Sequence, residues 1–237
     1  MLLLPTGATE QHGPHLPVQT DSLIASSLCE AASASTGVPC LPPMTYTVSV
    51  GHAAKRPGTL SLRHDTFIHA VSHLVGWMVA TGWERVLIVN SHFGNDASLR
   101  VAVDQLRLKY LGKMQIGVVN TFSLSQSIRD YFFLDAEDLH ANRAETDLML
   151  HLAPETVSME EVEDDPDRTE GTVFSYPVSQ TSLNGVTGRP SEGTAERGAE
   201  LFFEMAEALT ERVRAALVEA PPLPPEHWCD SCSVASP

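Results

Sequence analysis

The stretch that decides the fold is residues 2–21, LLLPTGATEQHGPHLPVQTD. Its apolar start, Leu2-Leu3-Leu4-Pro5, predicts a short buried strand that ends at Thr6-Gly7. Four side chains suited to metal binding or acid–base chemistry follow directly: Glu10, His12, His15 and Asp21.

The backbone of this stretch predicts how those groups are presented. If residues 9–12 are extended, Glu10 and His12 project to the same side. Pro14 and Pro17 stiffen the exit and exclude a helix there. A rigid loop of carboxylates and imidazoles after a buried strand is typical of a metal site in an α/β enzyme. The alternative is a polar loop whose histidines only satisfy backbone groups.

Composition limits the class of protein. A chain of 237 residues with 43% hydrophobic and 19% charged residues is typical of one globular domain. The net charge of −15 disfavours nucleic acid and anionic membranes as partners. No apolar run approaches the roughly 20 residues that span a bilayer. The start, MLLLP, lacks the basic segment of a signal peptide, and the four cysteines suggest no disulfide framework, so we expect a cytoplasmic protein.

Hydrophobic periodicity predicts an α/β fold with a parallel sheet. The continuous run Val86-Leu87-Ile88-Val89 is typical of a strand buried on both faces. Strands are predicted over residues 2–5, 46–50, 83–90 and 114–120, and helices over 22–34, 65–81, 97–111, 144–152 and 195–218. Residues 1–220 form one predicted domain. The Pro-rich, then polar segment 221–237 is predicted to be disordered, and its Cys229-x-x-Cys232 is more simply part of a tail than a metal site.

Two further segments carry candidate site residues. His92 follows the strand at 83–90, at the end where open α/β sheets place ligands. A satisfied core histidine is the alternative there. Glu145 lies in the first turn of a predicted helix, where a carboxylate is also favoured by the helix dipole, and His140 lies just before it. His69 and His73, four apart on a helix, are interpreted as surface histidines.

With these segments side by side, the chain resembles the creatininase family. The family's opening signature, G-x-x-E-Q-H-G-x-H-L-P and then T-D, is present at residues 7–17 and 20–21. Its N-G-H-G-G-N motif appears as Asn90-Ser91-His92-Phe93-Gly94-Asn95. Its D-x-H-A and E-T-S motifs appear as Asp138-Leu139-His140-Ala141 and Glu145-Thr146-Asp147. The P-G-T and G-V-x-G turns match residues 57–59 and 185–188.

The resemblance implies a three-layer α/β/α sandwich with a mostly parallel central sheet and a two-metal amidohydrolase site. It implies two divalent ions per chain, Zn²⁺, Mn²⁺ or Fe²⁺, which share and activate one hydroxide. Asp21 would bridge the ions, and His140 would donate a proton to the leaving nitrogen. The implied metal ligands are Glu10, His12, Asp21, His92 and Glu145, the implied catalytic residues are His140 and Glu145, and the expected substrate-binding residues are Phe93, Asn95 and Asp138.

Three departures from the family pattern bear on the site. Gly94 occupies the position of a carboxylate ligand in creatininase itself, which is why Glu145 is expected to supply the fifth ligand. Phe93 replaces a glycine and changes the expected pocket wall. Asp147 replaces the usual serine. Asp138 is expected to orient the His140 imidazole.

The expected reaction is hydrolysis of a C–N bond. The open substrate classes are a creatinine-like cyclic amide, a formylamino pyrimidine nucleotide, and the C-terminal bond of a small modified peptide, as in mycofactocin maturation. The different-class alternative is a non-catalytic subunit that keeps metal for stability. The resemblance also implies a closed homo-oligomer, with a hexamer favoured. The aromatic run Tyr131-Phe132-Phe133 would then lie either in the core or at a subunit contact.

Overall fold

The computed structural model describes residues 1–52 and 57–228, and within them the sheet has three parallel strands. They are β1 (Leu2–Thr6), β2 (Arg85–Asn90) and β3 (Gln115–Asn120), in the order β1-β2-β3. Thr6 is paired with Asn90 and Asn90 with Asn120, so the strands end side by side at one edge of the sheet. These three strands confirm the sequence prediction. Cys229 and Cys232 lie outside the described residues.

The helices also follow the predicted periodicity. Gly37 ends α1 in the left-handed conformation, as a glycine after a helix often does. The described helices are α1 (Thr20–Thr36), α2 (His64–Ala80), α3 (Asp96–Lys109), α4 (Gln126–Phe132), α5 (Arg143–Leu152), α6 (Val178–Thr181) and α7 (Ala195–Val218).

Successive strand residues face opposite sides of the sheet, and both sides are buried. Leu3 and Val89 belong to a cluster built with α1, α4, α5 and α7. Leu4 and Ile88 belong to a second cluster built with α2 and α3. The molecule is therefore the predicted three-layer α/β/α sandwich. No helix in the described ranges is long and apolar enough to cross a membrane.

The predicted strand at residues 46–50 is wrong. The structure has no strand there, and Val50–His52 forms a 3₁₀ turn. The backbone N–H of Val48 donates to Asn95 Oδ1 at 3.2 Å, and that of Ser49 donates to Ser61 Oγ at 2.8 Å. Side chains therefore take the hydrogen bonds that a neighbouring strand would have supplied.

The region around α4 resolves two open points. Phe132 is buried in the first core cluster, which favours the core interpretation of the aromatic run for that residue. The hydroxyl of Tyr131 donates to Asp147 Oδ2 at 2.5 Å, and the backbone N–H of Thr194 donates to Asp147 Oδ1 at 2.6 Å. Asp147, in place of the family's serine, thus joins α4, α5 and the start of α7.

Candidate metal centre

The candidate site lies where β1 and β2 end together. Glu10 and His12 come from the loop after β1, and His92 comes from the loop after β2. Because parallel strands in register deliver their carboxyl ends to one edge, residues far apart in sequence meet there. All three side chains are buried.

Asp21 reaches the same place from the first turn of α1, whose N-cap is Gln19. Asp21 therefore lies inside the helix and is not its N-cap. Gly7 lets α1 approach: a β-carbon at Gly7 would lie 2.5 Å from Ser22 Cα and 2.6 Å from the Asp21 carbonyl carbon. The turn after β1 thus packs directly against the backbone that carries Asp21.

Gly7→Ala is expected to destabilise the protein by about 1–3 kcal/mol, because rigid backbone must move to accommodate the methyl group. The same shift displaces Asp21, so metal affinity should fall as well. Thermal unfolding and metal titration measure the two effects. Gly76→Ala in α2 is the control, since only the end of the Tyr110 side chain lies near and its melting temperature should hold or rise. A Gly7→Ala variant as stable as that control would contradict the expectation.

The side chains form two groups of three possible ligands that share Asp21. Glu10, Asp21 and His92 make one group, and His12, Asp21 and Glu145 make the other. In each group the ligand atoms lie within 4.8 Å of one another. His92 Nδ1 is 3.1 Å from Asp21 Oδ2, and His12 Nε2 is 3.3 Å from Asp21 Oδ1. Asp21 is therefore placed between two imidazoles.

Glu145 is held in the first turn of α5 by a capping box. Its backbone N–H donates to Asn142 Oδ1 at 3.2 Å, and its Oε2 accepts from the Asn142 N–H at 3.4 Å. Ala141, the residue before Asn142, has a φ of 48°, a left-handed conformation that alanine rarely adopts. This strained corner brings Glu145 to the second group while His140 remains near the first.

The site fits cations because its buried polar atoms are otherwise unsatisfied. Within the described ranges, both carboxylate oxygens of Glu10, Nε2 of His12 and Oδ2 of Asp21 have no hydrogen-bond partner. Buried polar groups without partners are costly, and a coordinated ion satisfies them. Carboxylates combined with imidazoles suit Zn²⁺, Mn²⁺ or Fe²⁺.

The protonation of the cluster supports the same interpretation. Burial raises the pKa of Glu10 to about 7. Burial alone would lower the pKa values of His12 and His92, but the neighbouring carboxylates outweigh it and raise them to about 10 and about 9. Burial likewise opposes ionisation of Asp21, yet His12 and His92 hold the pKa of that carboxyl below its usual range. Protons on the two imidazoles therefore balance carboxylate charge when no cation does so.

The metal-free protein is expected to lose stability as pH rises from about 6.5 to 9. An imidazole whose pKa is higher in the folded than in the unfolded protein stabilises the fold. This contribution is complete at pH values below the unfolded-state pKa of about 6.5, and it is lost as the pH rises to the folded-state pKa. The loss should reach at least about 1 kcal/mol, or roughly 2–4 °C in Tm.

Metal ions compete with these protons for the same side chains. The increase in Tm on adding Zn²⁺ should therefore become larger as the pH rises over the same range. Differential scanning fluorimetry at three pH values measures both trends. His92→Gln, which lacks one of the titrating groups, should show the smaller slope. A Tm gain that does not change with pH would contradict the competition between protons and metal.

Two more imidazoles stand beside the cluster. His140 Nδ1 is 4.0 Å from Glu10 Oε2, and His52 Nδ1 is 3.4 Å from Glu10 Oε1. Their ring centroids are 4.1 Å apart. Glu10, His52 and His140 form a third group with ligand geometry, but here burial lowers the pKa of His52 to about 3 and that of His140 well below its usual value. These two imidazoles are neutral in a site where His12 and His92 hold protons.

A cavity of about 320 Å³ opens over the cluster. Phe93 forms part of its wall and is 41% exposed, with its ring stacked on Phe122 at 3.8 Å between centroids. The Phe93 side chain is therefore rigidly supported and presented to the cavity. Other residues of the wall are Asp21, His52, His92, Asp138, His140 and Glu145.

Three expected roles receive different outcomes. Asp138 lines the cavity, but the His140 ring donates from Nε2 to the Gln11 carbonyl at 2.7 Å, so the structure gives Asp138 no part in orienting that ring. Asn95 is fully buried: its amide donates to the Gly7 carbonyl at 2.9 Å and accepts from Val48. It ties three loops together, so the expectation that it contacts substrate is corrected.

Two further residues near the cluster, His15 and Gly94, have structural roles. His15 Nε2 donates to Thr146 Oγ1 at 2.9 Å, which joins the β1 loop to α5, and His15 belongs to none of the ligand groups found in the described ranges. Gly94 lies in close contact with its surroundings. A β-carbon there would lie 2.5 Å from His92 Nε2 and 2.6 Å from the Val48 carbonyl oxygen.

Sequence reasoning missed His52 and Gln11 as site residues. His52 is a single histidine in a loop, with no partner at ligand spacing to mark it. Gln11 stands inside the E-Q-H signature, but an amide is not a usual metal ligand, so only the adjacent Glu10 and His12 drew attention. The signature itself was the available signal for Gln11; for His52 the local sequence offered none.

Comparisons with known proteins give matches over most of the chain. The family model described as "Creatininase: Creatinine amidohydrolase" matches residues 1–213. The mycofactocin precursor peptide peptidase of Mycolicibacterium smegmatis is 31% identical over 224 residues, which is 90% of this chain and 84% of that protein. The creatinine amidohydrolase of Pseudomonas putida is 28% identical over 221 residues, which is 86% of this chain and 85% of that protein.

Solved creatininase structures share the fold. One described as a manganese creatininase superposes with a TM-score of 0.81 at 23% identity, covering 92% of this chain and 91% of the other. A mutant creatininase of Zn–Zn type gives 0.79 at 22% identity, with the same coverage. At this level of identity the likeness establishes the fold.

Proposed function

Since this chain belongs to the creatininase family of metal-dependent amidohydrolases, we propose that it hydrolyses a C–N bond in a short peptide or small amide at a site for two divalent ions. The observation that carries the proposal is the pair of three-ligand groups that share Asp21. Five ligand residues exceed what one four-coordinate ion uses.

The ligand roles follow from the two groups. Glu10 and His92 would hold one ion, His12 and Glu145 the other, and Asp21 both. Bound ions would supply Lewis acidity toward the scissile carbonyl and lower the pKa of water, whichever of Zn²⁺, Mn²⁺ or Fe²⁺ is present. The solved relatives described with Zn and with Mn support a transition metal as the natural occupant.

His140 is the proposed general acid–base. Its Nε2 hydrogen is committed to the Gln11 carbonyl, so a neutral ring keeps a lone pair at Nδ1, 4.0 Å from Glu10 Oε2. Burial holds the pKa of His140 well below its usual value, so the resting ring is neutral and its protonated form gives the proton up readily. We infer that Nδ1 takes up a proton during attack and returns it to the leaving nitrogen. Glu145, fixed by the α5 capping box, would assist by keeping the ligand group of His12, Asp21 and Glu145 in place.

We place short peptides first among possible substrates. A cavity of about 320 Å³ has room for about ten water molecules at about 30 Å³ each, more than a single small ring fills. The relative at 31% identity is a peptidase of a peptide precursor. Phe93 and Asp138 would contact the part of the substrate beyond the scissile bond.

A turnover screen tests the proposal. Protein loaded separately with Zn²⁺, Mn²⁺ and Fe²⁺ is incubated with short peptides, creatinine and formamides, and product amines are measured. We expect release of the C-terminal residues of a peptide. Hydrolysis of creatinine alone would refute the peptide assignment. No product from any class, with metal bound, would favour the non-catalytic subunit instead.

We also infer a homo-oligomer, with a hexamer favoured. Val173 and Phe174, adjacent in the chain, are at least 74% exposed, and Tyr176, two residues further on, lines the cavity wall. Apolar side chains exposed together are uncommon on monomers. Light scattering at micromolar concentration should give a multiple of 25.7 kDa, and a monomer mass would refute the inference. Phe174→Asp should weaken assembly, whereas Trp77→Asp, an exposed apolar residue on α2, is the control.

A further inference from the structure

The side-chain amide of Gln11 has a fixed orientation. The backbone N–H of Gly13 donates to Gln11 Oε1 at 3.0 Å. Because an N–H can only donate, the atom that it meets must be the amide oxygen, and the other terminal atom is the –NH₂ group. Gln11 Nε2 therefore offers two hydrogens to its surroundings.

Three atoms lie within reach of Gln11 Nε2, and only two of them can accept. They are His52 Nδ1 at 3.1 Å, His140 Nε2 at 3.2 Å and the Gly185 carbonyl oxygen at 3.3 Å. His140 Nε2 already donates to the Gln11 main-chain carbonyl at 2.7 Å, so it carries a hydrogen. The two amide hydrogens therefore go to the Gly185 carbonyl and to His52 Nδ1.

This assignment determines the hydrogen positions on both imidazoles. His52 Nδ1 accepts, so the ring's own hydrogen is on Nε2. The His52 side chain is 21% exposed and lines the cavity wall, where a substrate can reach it. His140 has the same tautomer, with its lone pair at Nδ1 on the side of Glu10.

We propose that Gln11 is a positioning residue that sets the tautomer of His52 through its side chain and that of His140 through its main chain, and that His52 Nε2–H donates to the scissile carbonyl oxygen of the substrate. The second half rests on the proposed function. A neutral N–H donor stabilises the negative charge that develops on that oxygen during attack. The two neighbouring imidazoles thus have different roles: His52 donates a hydrogen bond while His140 moves a proton.

The tautomers are tested by long-range ¹H–¹⁵N correlation on histidine-labelled protein, both metal-free and loaded with diamagnetic Zn²⁺. We expect His52 and His140 to carry hydrogen on Nε2 in both states. In Gln11→Leu, His52 should lose its single tautomer while His140 keeps its own, because the main-chain carbonyl remains. In Gln11→Glu, a carboxylate acceptor should move the His52 hydrogen to Nδ1. Hydrogen on Nδ1 of His52 in the wild type, or no change in either variant, would overturn the role of Gln11.

The carbonyl contact is tested by kinetics. His52→Leu should lower kcat on the order of 10²–10³-fold, the usual loss for one donor to a developing oxyanion, with KM and metal content little changed. His52→Gln, which can present an N–H near the same point, should recover part of the loss. A rise in KM alone, an unchanged kcat, or a loss of bound metal would overturn the contact. Absence of turnover in the wild type would refute the proposed function and this contact, whereas the tautomers are decided by the spectra alone.

Discussion

Asp21→Ala is expected to bind neither divalent ion and to lose turnover on the order of 10³–10⁴-fold. In the described part of the chain, one ligand group contains His92 and another contains His12, and Asp21 is the only residue that these two groups share. A bound ion contributes several kcal/mol of transition-state stabilisation, and about 1.4 kcal/mol corresponds to a tenfold change in rate. Elemental analysis after saturation and desalting measures the ions, and product release measures the rate.

Two variants make this result specific. Glu145→Gln removes a ligand from one group only, so it should retain about one ion per chain. Asp65→Asn removes an exposed carboxylate from the first turn of α2 that belongs to none of the ligand groups found in the described ranges, and should change neither quantity. Asp21→Ala with two ions still bound would exclude Asp21 as the bridge. One ion or fewer in the saturated wild type would count against a dinuclear site.

His140→Ala is expected to keep both ions and to lose turnover on the order of 10²–10⁴-fold, the usual contribution of a general acid or base. The ring lies 4.0 Å from the nearest Glu10 oxygen and belongs to neither group that contains Asp21. Its loss should therefore remove a proton carrier and leave the ligands in place. Metal content and kcat are measured on the same preparation.

His69→Ala is the matched control, because His69 is exposed on α2 and should affect neither metal nor rate. If His140→Ala releases an ion, then His140 is a ligand through the third group, with Glu10 and His52. If it keeps full turnover, another residue moves the proton.

The sheet was predictable because its strands are buried on both faces. Continuous apolar runs such as Val86-Leu87-Ile88-Val89 are typical of central strands in a parallel sheet, and residues 2–5 form a similar run. The meeting of Glu10, His12 and His92 followed from one rule, that parallel strands in register end at one edge. The resemblance to a family added the roles of Asp21 as bridging ligand and Glu145 as fifth ligand, because their local sequence alone marks them only as candidate carboxylates near helix starts.

What could not be predicted depends on tertiary hydrogen bonds. Residues 46–50 alternate like a strand, yet Asn95 and Ser61 take their backbone donors, and neither partner is near in sequence. The same bonds withdraw Asn95 from the cavity. His52 is held beside the cluster by tertiary contacts, among them the Gln11 side chain from the β1 loop. No periodicity of either segment records such a contact.

The capping box of α5 gives the site a mechanical consequence. Glu145 Oε2 accepts from the Asn142 N–H while Glu145 also belongs to the group with His12 and Asp21. The start of this helix and one ion would thus share a side chain. Release of that ion should therefore require the first turn of α5 to fray. A bound ion would in turn stabilise the contact between the loop after β1 and this helix, which lies far along the chain. Ion exchange at that position would then proceed at the rate at which α5 opens.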